Sequence, residues 1–132
     1  MPPKRRILVQ AGHADPREPG FERDSGADGE AELVKKIRNR LVAILRQDDR
    51  FEPVSMPGKI PNGTRADAAV FLHADGVDDP KPGGFSFGFP DFAVNKKLAD
   101  LIAAEFTKIP GHPRRQGTTS RRTRTSTTAS AW

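Results

Sequence analysis

The sequence predicts an α/β fold, a single and mostly parallel sheet flanked by helices. Two short apolar runs, residues 7–10 and 68–72, have the length and composition of buried strands. Residues 30–45 lie between them and have the apolar spacing of an amphipathic helix. Because strands that alternate with helices usually pair in parallel, these segments favour one sheet with helices on its faces.

The first half of the chain contains three predicted strands and one long helix. After the strand at 7–10, residues 14–29 are rich in Pro, Gly and charged side chains and predict a long loop. The helix is expected to begin at Glu30 and reach about residue 47, with a buried face made of Leu33, Ile37, Leu41, Ile44 and Leu45.

A second strand is expected at residues 51–56, near a sheet edge because Pro53 cannot donate a ladder hydrogen bond. Residues 64–67 are predicted to form one helical turn before the strand at 68–72. That strand ends at His73.

The second half predicts a strand at 83–89, where aromatic and small residues alternate, and then a helix capped by Asp91. The helix is expected to end near Ile109, and its apolar residues are Phe92, Val94, Leu98, Leu101, Ile102 and Phe106. From residue 111 the composition changes to Thr, Ser, Arg and Gly. We therefore expect a domain at 1–110 and a basic, disordered tail at 111–132.

The charge and composition of the chain exclude several classes. Five arginines in the acid-free segment 111–132 account for the whole net charge of +5, so the body of the protein is neutral. We therefore expect no specific nucleic-acid partner. Absence of cysteine excludes disulfide and thiol chemistry. The apolar run after the basic amino terminus is too short for a signal peptide, and no window suits membrane insertion, so the chain is expected to be cytoplasmic when made.

Three residues suggest a metal site. His13 and His73 each follow a predicted strand, and Glu30 opens the helix between them. Ligands gather at the carboxyl ends of parallel strands, and two His with one carboxylate leave a fourth zinc position open for water, as in hydrolytic sites. The alternative is that Glu30 merely complements the helix dipole. Glu32 is a competing carboxylate two positions further on.

Four segments resemble the zinc-dependent N-acetylmuramoyl-L-alanine amidases, most of all the amidase domains of phage endolysins that act on actinobacterial walls. They are ILVQAGH at 7–13, GEAELV at 29–34, FLHAD at 71–75 and GFSFG at 84–88. The resemblance covers about residues 6–113. It implies the zinc amidase fold, Zn²⁺ as cofactor and the ligands His13, Glu30 and His73. It also implies peptidoglycan as substrate, cleaved between N-acetylmuramic acid and L-alanine after release of the protein to the cell wall.

The chain departs from this family at its carboxyl end. The family's general base is a glutamate on a last strand beyond the second long helix, whereas no glutamate follows Glu105 here and no further strand is predicted. Glu105 itself suits a solvated helix face. The catalytic residue is therefore unassigned. The chain is expected to be either an amidase or a zinc- and wall-binding remnant, and to be monomeric unless a missing strand exposes a sheet edge.

A frameshift near Arg115 would account for this departure. Residues 117–132 can be back-translated so that a one-base shift encodes Asp-Asn-Phe-Thr and then Tyr-Tyr. Sequencing the gene tests this hypothesis, since an alternate frame without those codons would refute it. Two smaller features have simpler interpretations: Asp75, Asp78 and Asp79 lack the spacing of a calcium loop, and His112 is expected to be exposed.

Overall fold

A three-stranded parallel sheet forms the amino-terminal part of the protein. The computed structural model describes residues 1–12, 29–56, 60–74, 84–111, 113–115 and 119–120. Its elements are β1 Arg5–Ala11, α1 Glu30–Leu45, β2 Phe51–Met56, β3 Ala68–Leu72, β4 Phe89–Pro90, α2 Ala93–Phe106 and β5 Thr119–Ser120. The chain divides into two compact units, Met1–Gly76 and Val77–Trp132. The predicted α/β class is confirmed.

In the first unit the sheet has the order β2-β1-β3. Leu8 of β1 is level with Val54 of β2 on one side and with Ala69 of β3 on the other, and both pairings are parallel. Val9 is fully buried, as expected for the strand that is hydrogen-bonded on both sides. Pro53 lies in β2, an outer strand of this sheet, in agreement with the edge position predicted for it.

Helix α1 packs on β1 and β2 with a different face from the one predicted. Its buried residues are Glu30, Val34, Arg38 and Val42, which recur every four positions. Leu33, Ile37 and Ile44 of the predicted face are instead about half exposed. The two rows lie side by side on the helix surface, so apolar spacing alone did not indicate which of them is buried. The row that begins with Glu30 faces inward, and the Glu30 carboxylate accepts a hydrogen bond from the chain after β3.

One predicted element of the first unit is absent. Residues 64–67 do not form a helical turn. Thr64 instead closes a turn on the carbonyl of Pro61, and Asp67 accepts hydrogen bonds from the backbone of Arg6 and the side chain of Arg5. The Asp67 carboxylate therefore binds this segment to β1, where a helical turn was expected. The loop predicted at 14–29 lies outside the described residues, except for Gly29.

The second unit contains α2 and a two-stranded parallel sheet of β4 and β5. Helix α2 begins one residue after Phe92, which has no side-chain capping bond, so the prediction of Asp91 as cap was wrong. Its buried residues are Ala99 and Ala103. Most of its large apolar side chains are exposed, namely Phe92, Val94, Leu98, Leu101 and Phe106.

The strand predicted at 83–89 is much shorter than expected. Phe85 forms an isolated parallel bridge with Arg114, and β4 starts only at Phe89. The chain after α2 was expected to contain no strand, yet Thr119–Ser120 pairs with β4 and residues 113–115 pair with Phe85. Backbone pairing does not need apolar periodicity, so a segment that lacks this periodicity can still form a short strand. Residues 121–132 of the predicted tail lie outside the described part.

Candidate metal centre

The ends of β1 and β3 meet at the carboxyl edge of the first sheet. Ala11 is level with Leu72, and the amide of Gly12 donates a 2.8 Å hydrogen bond to the carbonyl of Leu72. His73 is the next residue after β3. The side chain of His73 is therefore placed by a ladder that continues one residue beyond the strands.

Glu30 reaches the same edge from α1. It is the first residue of the helix and only 3% exposed. Its Oε1 atom accepts a 2.9 Å hydrogen bond from the amide of Ala74 and lies 3.3 Å from Nδ1 of His73. Two residues that are 43 positions apart in sequence are thus held side by side. Glu32, the competing carboxylate, is exposed on α1.

The third predicted ligand, His13, lies outside the described residues. Gly12, immediately before it, belongs to the edge where Glu30 and His73 meet. Within the described ranges alone, no group of three or more His, Cys, Asp or Glu side chains that could hold a metal is found. The structure accordingly brings together two of the three predicted residues and does not describe the third.

Gly12 has a role that the sequence did not reveal. A Cβ atom added to Gly12 would lie 2.4 Å from Cε1 and 2.6 Å from Nδ1 of His73. No side chain fits there without moving the imidazole. The only sequence signal was a glycine directly after a strand, which also suits an ordinary turn. Gly12 therefore positions His73 through its lack of a side chain.

The chemistry of the donor set fits zinc. A charge-assisted N–H···O⁻ hydrogen bond is usually about 2.7–2.9 Å long, so 3.3 Å is long for a His–Glu pair held by a proton alone. Two donors that share one tetrahedral zinc ion, each bonded at about 2.0–2.1 Å, stand about 3.3–3.4 Å apart. Nδ1 of His73 and Oε1 of Glu30 have this separation. The Ala74 amide would orient the carboxylate, as partners outside the metal shell commonly do.

Glu105, the last glutamate in the chain, is paired within its own unit. Its side chain is 71% exposed and pairs with Nζ of Lys108 at 2.8 Å. The prediction that Glu105 belongs to a solvated helix face is confirmed. Asp75, Asp78, Asp79 and His112 lie outside the described residues.

The start of the basic segment has structural contacts of its own. Nη1 of Arg114 lies 2.9 Å from Oδ1 of Asp100, and its guanidinium lies 5.7 Å from the ring centre of Phe87. Together with Lys96, Arg114 holds the pKa of the Asp100 carboxyl below its usual value, Lys96 having the larger effect. Arg114, one of the five arginines of the predicted tail, therefore forms contacts within the second unit.

Neither described helix is long and apolar enough to cross a membrane. No protein-family model, no curated protein and no solved structure matches this chain.

Proposed function

We propose that this chain is a zinc-dependent N-acetylmuramoyl-L-alanine amidase domain with the zinc amidase fold, of the kind found in phage endolysins. The observation that carries the proposal is the pair formed by Glu30 and His73 at the carboxyl edge of a parallel sheet. This pair has the donor types, the burial and the separation suited to zinc. His13 is proposed as the third ligand from its position one residue after Gly12.

The reaction class follows from an open ligand set. When bound by three protein ligands, zinc supplies a water of lowered pKa and polarises a carbonyl oxygen. In amide hydrolysis, water adds to the lactyl carbonyl carbon, the C–N bond breaks and a proton passes to the leaving amine of L-alanine. Glu30 and His73 would hold the reacting centre in place, with Ala74 and Gly12 fixing their orientation. Peptidoglycan as substrate is supported by the four segments that resemble the wall amidases.

A second candidate function is a zinc- and wall-binding remnant without turnover. One observation favours it: Glu105, the last glutamate in the chain, is exposed and paired with Lys108. The resemblance implies a general-base glutamate on a strand beyond the second long helix, and no glutamate follows Glu105. The two candidates agree on the zinc site and differ only in turnover.

The deciding experiment incubates the purified chain with peptidoglycan and quantifies newly exposed amino-terminal alanine. An amidase releases it, and both a chelator and Glu30→Gln abolish the release. Zinc stoichiometry is measured on the same samples. Bound zinc without release of alanine identifies the remnant. A chain that binds no zinc at all would refute both candidates.

A further inference from the structure

Two charged residues are buried among those described, and both lie on the inner row of α1. Glu30 is 3% exposed and Arg38 is 8% exposed. Glu30 belongs to the candidate metal centre, whereas Arg38 is not one of the candidate ligands. The same row contributes Val34 and Val42 to the core. A buried guanidinium is unusual among such residues.

The contacts of Arg38 are made to neutral oxygens. Nε and Nη2 donate to Oδ1 of Asn39 at 3.1 and 2.9 Å, and Nη1 donates to the carbonyl oxygen of Met56 at 3.1 Å. The amide oxygen of Asn39 thus takes the forked position that a carboxylate usually takes on arginine. Within the described ranges, no acidic side chain pairs with Arg38.

Such a charge is stabilised incompletely. Moving an ion out of water costs several kcal/mol unless an opposite charge and hydrogen bonds compensate it. The described contacts occupy three of the five N–H groups of the guanidinium, leaving one on each terminal nitrogen. These remaining N–H groups are available to a carboxylate, the acceptor with which arginine forms its strongest hydrogen bonds.

Arg38 also lies on the side of the sheet where ligands gather. Its bond to Met56 is made at the last residue of β2, and β2 ends at the same edge as β1 and β3. Eight residues of helix separate Arg38 from Glu30, about 12 Å along the axis. A stem peptide held with its scissile carbonyl at Glu30 spans about 7–10 Å over its next two or three residues, before side-chain reach is added.

We propose that Arg38 is a carboxylate-binding residue, which receives a free carboxylate of the wall stem peptide at the β2 end of the site. The identity of the ligand rests on the proposed function, whereas the existence of the anion site does not. Asn39 holds the Nε–Nη2 side of the guanidinium, and the ligand takes N–H groups that the described contacts do not use. The site takes a carboxylate and discriminates against its neutral amide.

The first experiment tests the site with zinc removed by chelator. The full chain is titrated with acetate and, separately, with acetamide, and the Nε–H resonance of Arg38 is followed by NMR. Acetate is expected to shift this resonance in a saturable way, and acetamide is expected not to. N-acetyl-L-alanyl-D-glutamate should bind at least about tenfold more tightly than acetate, and its diamide should not bind.

Two variants of Asn39 serve as a matched pair, because Asn39 is exposed and its replacement leaves the core intact. Asn39→Asp supplies a permanent carboxylate that neutralises the guanidinium, and it should weaken acetate binding about tenfold or more. Asn39→Ala adds no charge and leaves the remaining N–H groups as they are, so it should retain or tighten binding. Arg38→Gln keeps a donor for Met56 and should abolish binding.

Several outcomes would overturn the proposal. If acetate causes no shift, or if both Asn39 variants bind as the unaltered chain does, Arg38 only anchors the end of β2. If the dipeptide binds no more tightly than acetate, the assignment to the stem peptide is wrong. Carboxylate binding in a chain that releases no alanine from peptidoglycan would refute the amidase function and leave the anion site standing.

Discussion

Nδ1 of His73 lies 3.3 Å from Oε1 of Glu30, and the same oxygen accepts a hydrogen bond from the amide of Ala74. The pair joins the first turn of α1 to the end of β3. The carboxylate is 3% exposed and faces the imidazole.

Loss of either member of the pair should weaken zinc binding. Removing a residue outside the metal shell commonly costs 10–100-fold in affinity, so losing a ligand should cost about 100-fold or more. Glu30→Gln is the sharper variant because its amide oxygen can still accept from Ala74. Isothermal titration with zinc measures the effect, with His112→Ala as control. Unchanged stoichiometry and affinity in Glu30→Gln and in His73→Ala would remove Glu30 and His73 as ligands.

Gly12→Ala should disturb the site without contacting a ligand of its own. The new Cβ would meet the His73 ring at 2.4–2.8 Å, so the imidazole must move, and we expect zinc affinity to fall about tenfold or more. Gly63→Ala is the matched control, since Gly63 has φ +80° and an added Cβ there meets nothing. The control should lose about 1–2 kcal/mol of stability through backbone strain and keep its zinc affinity.

The inward face of α1 can be tested with two adjacent residues. Val34 is 1% exposed, so Val34→Ala should lower the free energy of unfolding by about 2 kcal/mol. Leu33 is 50% exposed, and Leu33→Ala should change it by about 0.5 kcal/mol or less. Urea unfolding monitored by circular dichroism measures both. A larger loss at Leu33 would restore the face predicted from apolar spacing.

Asp48 should titrate at unusually low pH. Hydrogen bonds from the side chain and backbone of Arg50 lower the pKa of this carboxyl from 3.8 to about 2. Because the folded pKa is depressed, the stability from this contact is fully present above pH 3.8 and is lost as the pH falls toward 2. NMR titration of the carboxyl carbon should give a midpoint near 2 that moves toward the ordinary value in Arg50→Gln. A midpoint that this variant leaves unchanged would contradict the assignment.

The carboxyl-terminal contacts predict that two truncations behave differently. A chain ending at Ser120 keeps the hydrogen bonds of Phe85 to Pro113 and Arg115 and the pairing of β5 with β4. A chain ending at Pro110 loses all of them. Only the shorter chain is expected to show faster amide hydrogen exchange in residues 84–90. Equal exchange in both truncated chains would mean that these pairings add nothing to the second unit.

Local sequence signals predicted the backbone of the first unit well. The strands at 51–56 and 68–72 and the start of α1 at Glu30 agree with the structure residue for residue. Short apolar runs bounded by turn residues, and a helical period beginning at an acidic residue, depend on neighbours in the chain alone. The second unit was predicted less well, because Phe85 and Phe89 pair with segments about 30 residues away.

The sequence by itself determined the α/β class and the positions of three strands, and it predicted His73 and Glu30 as ligands, with Glu32 as the competing carboxylate. Only the tertiary structure decided which face of α1 is buried, that Glu30 rather than Glu32 meets His73, and that Gly12 and Arg38 belong to the edge. The reason is physical. Periodicity along a chain specifies which side chains share a face, whereas the choice between neighbouring faces depends on hydrogen bonds to distant backbone, here those of Ala74 and Met56.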